Sequence, residues 1–73
     1  MRTYYSVVRY GPFRSPDRVF DTRQEAEKHR QRKAHEDPFG WNLKETRVHG
    51  YRSKAEALTG DLSYSIGEGG RVE

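Results

Sequence analysis

The sequence predicts a small α+β domain in which one long helix packs against an antiparallel sheet of three or four strands. β-Branched and aromatic residues cluster over Thr3–Tyr10, helix-forming residues follow Thr22, and apolar and polar side chains alternate over Leu62–Ile66. The predicted element order is β-β-α-β-α-β. Residues 1–66 are expected to form this single domain, and the Gly-rich residues 67–73 are expected to form a flexible tail.

Four strands are predicted. The first covers Thr3–Tyr10 and ends at Gly11-Pro12, and Arg18–Phe20 is expected to close a hairpin with it. Trp41–His49 is predicted to be the third strand. The last strand is predicted from the alternation after Asp61, with Leu62, Tyr64 and Ile66 facing inward.

Both predicted helices begin at a capping box, in which a hydroxyl is followed three residues later by a carboxylate. Thr22–Glu25 opens a helix that continues to about Glu36 and ends before Pro38. Ser53–Glu56 opens a shorter helix that Gly60 can end. Phe20–Ala26 and Tyr51–Ala57 share this pattern at a shift of 31 residues, and convergence of two strand-to-helix junctions is favoured over duplication.

The long helix contains no Leu, Ile, Val or Phe, so its inward stripe must be built from smaller groups. At 100° per residue, Ala26, Arg30 and Ala34 share one face. We expect the alanines to seat the helix close to the sheet while the alkyl stem of Arg30 covers apolar surface and its charged head points outward. The sheet then has to supply the bulk of the core.

Composition excludes several kinds of function. The 73 residues include no cysteine, which rules out disulfides and thiolate chemistry, and no apolar run is long enough for a membrane span or a signal peptide. His29 and His35 lie on different sides of the predicted helix, so a shared metal ion is not expected. No catalytic or cofactor-binding motif is present, and we expect a cytoplasmic protein that is not an enzyme and carries no cofactor or metal.

Charge is distributed unevenly. Residues 1–35 contain nine basic and four acidic side chains, a net charge of +5, whereas residues 36–73 contain five and seven, a net charge of −2. A basic half with interleaved aromatic rings is typical of a surface that meets nucleic acid, or of one that meets an acidic protein surface. The residues predicted to bind nucleic acid are Arg9, Arg14, Arg18, Arg23, Arg30 and Lys33, with Tyr4, Tyr10 and Phe13 available to stack on bases.

Two functional hypotheses follow from these residues. The first is a small basic module that binds DNA or RNA without performing chemistry. The alternative is an accessory protein of the kind that phages and mobile elements encode, which binds a host protein complex and inhibits it. Only 12 residues are Ile, Leu, Val or Phe, so the core is thin and a homodimer would stabilise it by covering apolar surface.

Two short stretches resemble known families. Val19–Glu27 resembles the strand-to-helix junction of the arm-type DNA-binding domains of phage integrases, in which an antiparallel sheet reads DNA and one helix backs it. This likeness covers nine residues, and the elements around it differ, since only two strands precede the helix. Val8–Phe13 is similar to the glycine-proline-aromatic turn of peptidoglycan-binding SPOR domains, but no helix follows at the expected place. Neither likeness assigns the chain to a family.

Overall fold

The computed structural model describes residues 2–10 and 15–68. In this part of the chain the elements follow the order β1 (Tyr4–Arg9), α1 (Arg23–Glu36), β2 (Thr46–Tyr51), α2 (Lys54–Thr59), a 3₁₀ turn (Leu62–Tyr64) and β3 (Gly67–Glu68). The fold is α+β, with two helices and one antiparallel pair of six-residue strands. β3 adds two residues at the outer edge of β2. Of the predicted tail 67–73, residues 67 and 68 form β3, and residues 69–73 lie outside the described part of the chain.

One face of the sheet packs on α1. β1 and β2 pair along their whole lengths, and Val7 lies opposite Val48. Because side chains alternate between the two faces of a strand, these two valines share a face, and they form the main buried cluster with Ala26 of α1 and with Trp41. Ala26 has no exposed surface, which is the close approach that the alanine stripe predicts.

The other face of the sheet packs on α2. Ser6, Val8 and Tyr51 are fully enclosed on this face, and Ala57 is the enclosed residue of α2. Ser6 Oγ donates a hydrogen bond to the backbone oxygen of Ala57 at 2.9 Å, which fixes α2 to β1. The sheet therefore lies between two helices, and each helix contacts it through an alanine.

The hydroxyl of each predicted capping box acts as an N-cap. Thr22 and Ser53 are the N-caps of α1 and α2, with nearly the same extended backbone angles, and their hydroxyls accept hydrogen bonds from the amides of Glu25 and Glu56. Both junctions lie at the same end of the sheet, because Phe20 bridges to β1 and β2 ends opposite the start of β1. The sequence similarity between Phe20–Ala26 and Tyr51–Ala57 thus corresponds to two equivalent strand-to-helix junctions, which lie on the two sides of β1.

Three predicted strands differ from the structure for local reasons. Only Phe20 of Arg18–Phe20 pairs with β1, through a single bridge to Tyr5, and the side chain of the preceding Asp17 binds His29 and Lys33 of α1. In the stretch Trp41–His49, Asn42 forms a turn by accepting the amide of Glu45, so β2 begins later, at Thr46, and continues to Tyr51.

The third difference concerns Leu62–Ile66, where the prediction of a strand with three inward side chains is wrong. Gly60 ends α2 in the left-handed conformation (φ 66°), and the Asp61 side chain then accepts the amide of Ser63 and caps a 3₁₀ turn. Such local hydrogen bonds compete with strand pairing. As a result Leu62, Tyr64 and Ile66 are all exposed.

Arg30 fastens α1 to the rest of the fold. Its Nε donates to the backbone oxygen and to the hydroxyl of Thr46, both at 3.1 Å, and its Nη2 donates to the backbone oxygen of Leu43 at 2.8 Å. Nη1 donates to Glu27 at 2.8 Å, and only 15% of the Arg30 side chain is exposed. The planar guanidinium therefore binds α1, the loop before β2 and the first residue of β2 at once.

We predict that Arg30→Lys destabilises the fold by about 2 kcal/mol, because a lysine cannot satisfy the same acceptors in one plane and leaves partly buried carbonyls without a donor. Urea unfolding followed by circular dichroism measures the free energy, and the exposed Arg52 changed to Lys is the control. Equal stability of the two variants would contradict the fastening role of Arg30.

Candidate interaction surfaces

Three of the cations predicted to bind nucleic acid are engaged within the fold. Arg9 is 9% exposed and its Nη2 lies 4.0 Å from Glu45. The donors of Arg30 bind the groups described above. Lys33 Nζ donates to Asp17 at 3.1 Å and lies 4.6 Å from the centre of the Trp41 ring. Arg30 and Lys33 therefore offer little free hydrogen-bonding capacity to an external phosphate, and Arg9, whose Nε has no hydrogen-bond partner among the described residues, is kept from one by burial.

The other predicted residues lie apart from one another. Arg18 is exposed and its guanidinium lies 5.2 Å from the centre of the Phe20 ring, and Arg23 is the half-buried first residue of α1. Tyr10 is 43% exposed at the far end of β1. Arg14 and Phe13 lie outside the described residues. The structure therefore does not gather the described members of the predicted set into one surface.

A different group of cations surrounds Tyr4, at the end of the sheet where both helices begin. Arg2 and Lys54 place their charged groups 5.5 and 5.9 Å from the centre of the Tyr4 ring, and both side chains are exposed. The exposed Arg52 follows Tyr51, which pairs with Tyr4. We call Arg2, Tyr4, Arg52 and Lys54 the basic end. Arg2 also forms an ion pair with Asp21 at 2.8 Å.

Tyr4 was among the residues predicted from sequence to bind nucleic acid, but the three cations of the basic end were not. Arg52 and Lys54 lie in the half of the chain with a negative net charge, so the charge distribution did not predict a basic surface there. A signal for their position was present in the similarity of the two strand-to-helix junctions, because it predicts that Arg52 and Lys54 lie near the start of the sheet. Only pairing between β1 and β2 brings them to Tyr4.

The second surface is apolar. All three leucines of the chain and its single isoleucine are between 39% and 48% exposed, while valines, alanines and two aromatic rings form the core. Four large exposed side chains fall within nine residues; these are Leu58, Leu62, Tyr64 and Ile66, and we call them the apolar segment. Isolated exposed leucines are ordinary, but a chain that leaves all of them outside its core has apolar surface available to a partner.

A buried polar group anchors the apolar segment to the sheet. His49 is 6% exposed; its Nε2 is 2.7 Å from the Tyr10 hydroxyl and its Nδ1 is 2.9 Å from Ser65 Oγ. Ser65 Oγ also accepts the amide of Gly67 at 3.1 Å. The imidazole thus connects the end of β1 with the residues that follow the 3₁₀ turn.

No metal site is formed among residues 2–10 and 15–68, because no three His, Cys, Asp or Glu side chains there come close enough to share an ion. The helices of this part of the chain are too short and too polar to cross a membrane. Comparison with protein-family models, with curated proteins and with solved structures finds no match for this chain. The basic end and the apolar segment are therefore the features of the described residues that bear on function.

Asp17 connects the chain before Phe20 to α1, and its ionisation is coupled to that contact. Partial burial acts to raise the pKa of Asp17, but the hydrogen bonds from Lys33 and His29 and the positive charge of Lys33 outweigh it, so the pKa lies below 3.8. A carboxylate with a lowered pKa in the folded state adds stability above its unfolded pKa, and this stability is lost as the pH falls through the folded value.

We predict that Asp17→Asn lowers the free energy of unfolding at neutral pH by less than about 1 kcal/mol, since water screens this half-exposed carboxylate. The difference from the unchanged protein should begin to shrink as the pH falls below 3.8 and should vanish once the pH is below the lowered folded-state pKa of Asp17, where this position is neutral in both chains. Urea unfolding at several pH values measures it, with the exposed Glu36 changed to Gln as a control for the loss of one charge. A difference that stays constant with pH would contradict the coupling.

Tyr51 is fully enclosed, and its hydroxyl has no hydrogen-bond partner among the described residues. Burial raises the pKa of Tyr51 to about 12, and the nearby charges of Asp61 and Tyr10 add to this. A neutral group with a raised pKa keeps its full contribution below the unfolded value and loses stability as the pH rises toward the folded value.

We predict that Tyr51→Phe leaves stability unchanged at neutral pH, or raises it by up to about 1 kcal/mol, because it removes an unsatisfied buried hydroxyl. Between pH 10 and about 12 the variant should lose less stability than the unchanged protein. Thermal unfolding across this pH range measures both effects, and Tyr64→Phe, at an exposed position, is the control. A clear loss of stability at neutral pH would mean that the Tyr51 hydroxyl has a partner.

Proposed function

We propose that this protein is a small binding module that performs no chemistry and holds nucleic acid at its basic end. The observation that carries the proposal is that the charged groups of Arg2 and Lys54 lie 5.5 and 5.9 Å from the centre of the half-buried Tyr4 ring. Cations that lie over an aromatic ring keep their charge and most of their donors, so they remain able to contact phosphate. The charged groups of Arg2 and Lys54 are the phosphate contacts of this proposal, and a base can stack only on the part of the half-buried Tyr4 ring that these cations leave exposed.

The contrast with the rest of the chain supports this choice of surface. Arg30 and Lys33 direct their donors at backbone carbonyls and carboxylates, and Arg9 is largely buried. An external phosphate would have to displace those contacts and would gain little. At the basic end, Asp21 is the carboxylate paired with Arg2, while Lys54 contacts a ring. We propose that Arg9, Arg30 and Lys33 support the fold. Of the residues predicted from sequence to bind nucleic acid, Tyr4 belongs to the basic end.

One observation favours the alternative, in which the chain binds a protein and inhibits it. The apolar segment leaves four large side chains nearly half exposed; Ile66 lies beside Gly50, whereas Leu58, Leu62 and Tyr64 belong to α2 and the turn that follows it. Exposed apolar surface of this kind is available to a protein contact. Salt discriminates between the two functions. Binding through phosphates weakens steeply as salt rises, whereas a contact through leucines is little affected.

Fluorescence anisotropy with labelled single-stranded and double-stranded oligonucleotides tests the proposal. We predict binding at low salt that weakens steeply with added salt. Arg52→Gln combined with Lys54→Gln should reduce the affinity about tenfold and lower the slope of log K against log salt by roughly two, one for each lost phosphate contact. The exposed Lys28 and Lys44 changed to Gln are the matched control, since they remove the same charge elsewhere.

Two outcomes contradict the proposal. If no oligonucleotide binds at low salt, the chain does not act on nucleic acid. If the control pair weakens binding as much as the Arg52 and Lys54 pair does, the attraction comes from net charge and the basic end is not the site. In both cases circular dichroism has to show that the variants are folded.

A further inference from the structure

We propose that Asp21 is an internal competitor of the ligand at the basic end, because its carboxylate occupies Arg2 in the free protein and opposes a phosphate that binds there. This inference deepens the proposed function and rests on it. Arg2 Nη2 lies 2.8 Å from Asp21 Oδ1, while the same guanidinium lies 5.5 Å from the centre of the Tyr4 ring. A carboxylate therefore already holds part of the donor group that the proposed function assigns to phosphate.

The position of Asp21 follows from the two equivalent strand-to-helix junctions. Asp21 directly precedes Thr22, the N-cap of α1, just as Arg52 directly precedes Ser53, the N-cap of α2. Both junctions lie at the end of the sheet where Tyr4 begins β1. The basic end thus receives a cation from one junction and a carboxylate from the other.

The contact between Arg2 and Asp21 is open to exchange. Their side chains are 62% and 59% exposed, so water screens the pair and the contact contributes little to the order of the Arg2 side chain. A phosphate can replace it with a charge-assisted contact of its own. Arg30, by contrast, has a side chain that is only 15% exposed, and its contacts hold the fold together.

The carboxylate weakens binding whether or not it leaves Arg2. A phosphate that contacts the Arg2 guanidinium comes close to Asp21, and two negative unit charges about 4 Å apart in water repel each other enough to weaken binding about fivefold. Binding also exchanges one anion for another at Arg2, so fewer counterions are exchanged with the solvent than three unpaired cations would exchange. The basic end therefore holds nucleic acid less tightly, and with a weaker salt dependence, than its cations alone would.

Fluorescence anisotropy with the same labelled oligonucleotides tests the competition. Asp21→Asn should bind about fivefold more tightly than the unchanged protein, and the slope of log K against log salt should become steeper by up to about one. Glu36→Gln is the matched control, because it removes the same charge at the other end of α1, about 20 Å away along the helix. At about 0.1 M salt the Debye length is about 10 Å, so this control should change the affinity by less than about twofold.

A double-mutant cycle shows whether Asp21 acts through Arg2. Arg2→Gln removes the cation for which carboxylate and phosphate compete, and no cation then draws a phosphate into contact with Asp21. Adding Asp21→Asn to Arg2→Gln should therefore improve the affinity by less than about twofold, like the Glu36→Gln control. Circular dichroism has to show that each variant is folded.

The possible failures of this inference and of the proposed function are distinct. If Asp21→Asn binds no more tightly than Glu36→Gln, or more weakly than the unchanged protein, the carboxylate does not compete with the ligand. If the full gain persists in the Arg2→Gln background, Asp21 does not act through Arg2. In these cases the oligonucleotide still binds and only the competition is overturned. If neither the unchanged protein nor Asp21→Asn binds at low salt, the proposed function fails, and the competition fails with it.

Discussion

The fold depends on the guanidinium of Arg30. α1 carries no large apolar side chain, so burial of Ala26 brings the helix close to the sheet but removes little apolar surface from water. Arg30 supplies the attachment between α1 and the rest of the fold that alanine cannot provide, because its planar guanidinium binds Thr46, Leu43 and Glu27 together. Hydrogen bonds from a charged donor to partly buried carbonyls are stronger than neutral ones, and they fix where β2 begins relative to α1.

This use of charge inside the fold decides which surfaces remain for binding. Arg30 and Lys33 of α1 and Arg9 at the end of β1 are engaged within the fold, so these three charges of the first half do not contribute to a binding surface. The basic end combines Arg2 of the first half with Arg52 and Lys54 of the second, and Lys54 lies over the Tyr4 ring. The charge of a segment and the charge of a surface are different quantities, and only pairing of the strands converts one into the other.

Interactions within a few residues were predictable from sequence. Thr22 and Ser53 cap their helices because the acceptor and the amide are three residues apart, and Ala26 is buried because helical periodicity places it inward. The prediction of a strand over Leu62–Ile66 was wrong although it too concerned neighbouring residues. The alternation of apolar and polar residues does not show that the Asp61 side chain accepts the amide of Ser63 and caps a 3₁₀ turn. The contacts of Arg30 with Thr46 and of Lys54 with Tyr4 join distant parts of the chain, and no local pattern specifies them.

The exposed leucines follow from the same packing. Ala57 and Ala26 face the sheet from α2 and α1, and the buried layers between helices and sheet consist of valines, alanines and the rings of Trp41 and Tyr51. Leu58 directly follows the inward Ala57, so helical periodicity turns it toward solvent. Leu58 and Leu62 therefore gain little free energy from burial within the described part of the chain, and their apolar surface stays available to a partner.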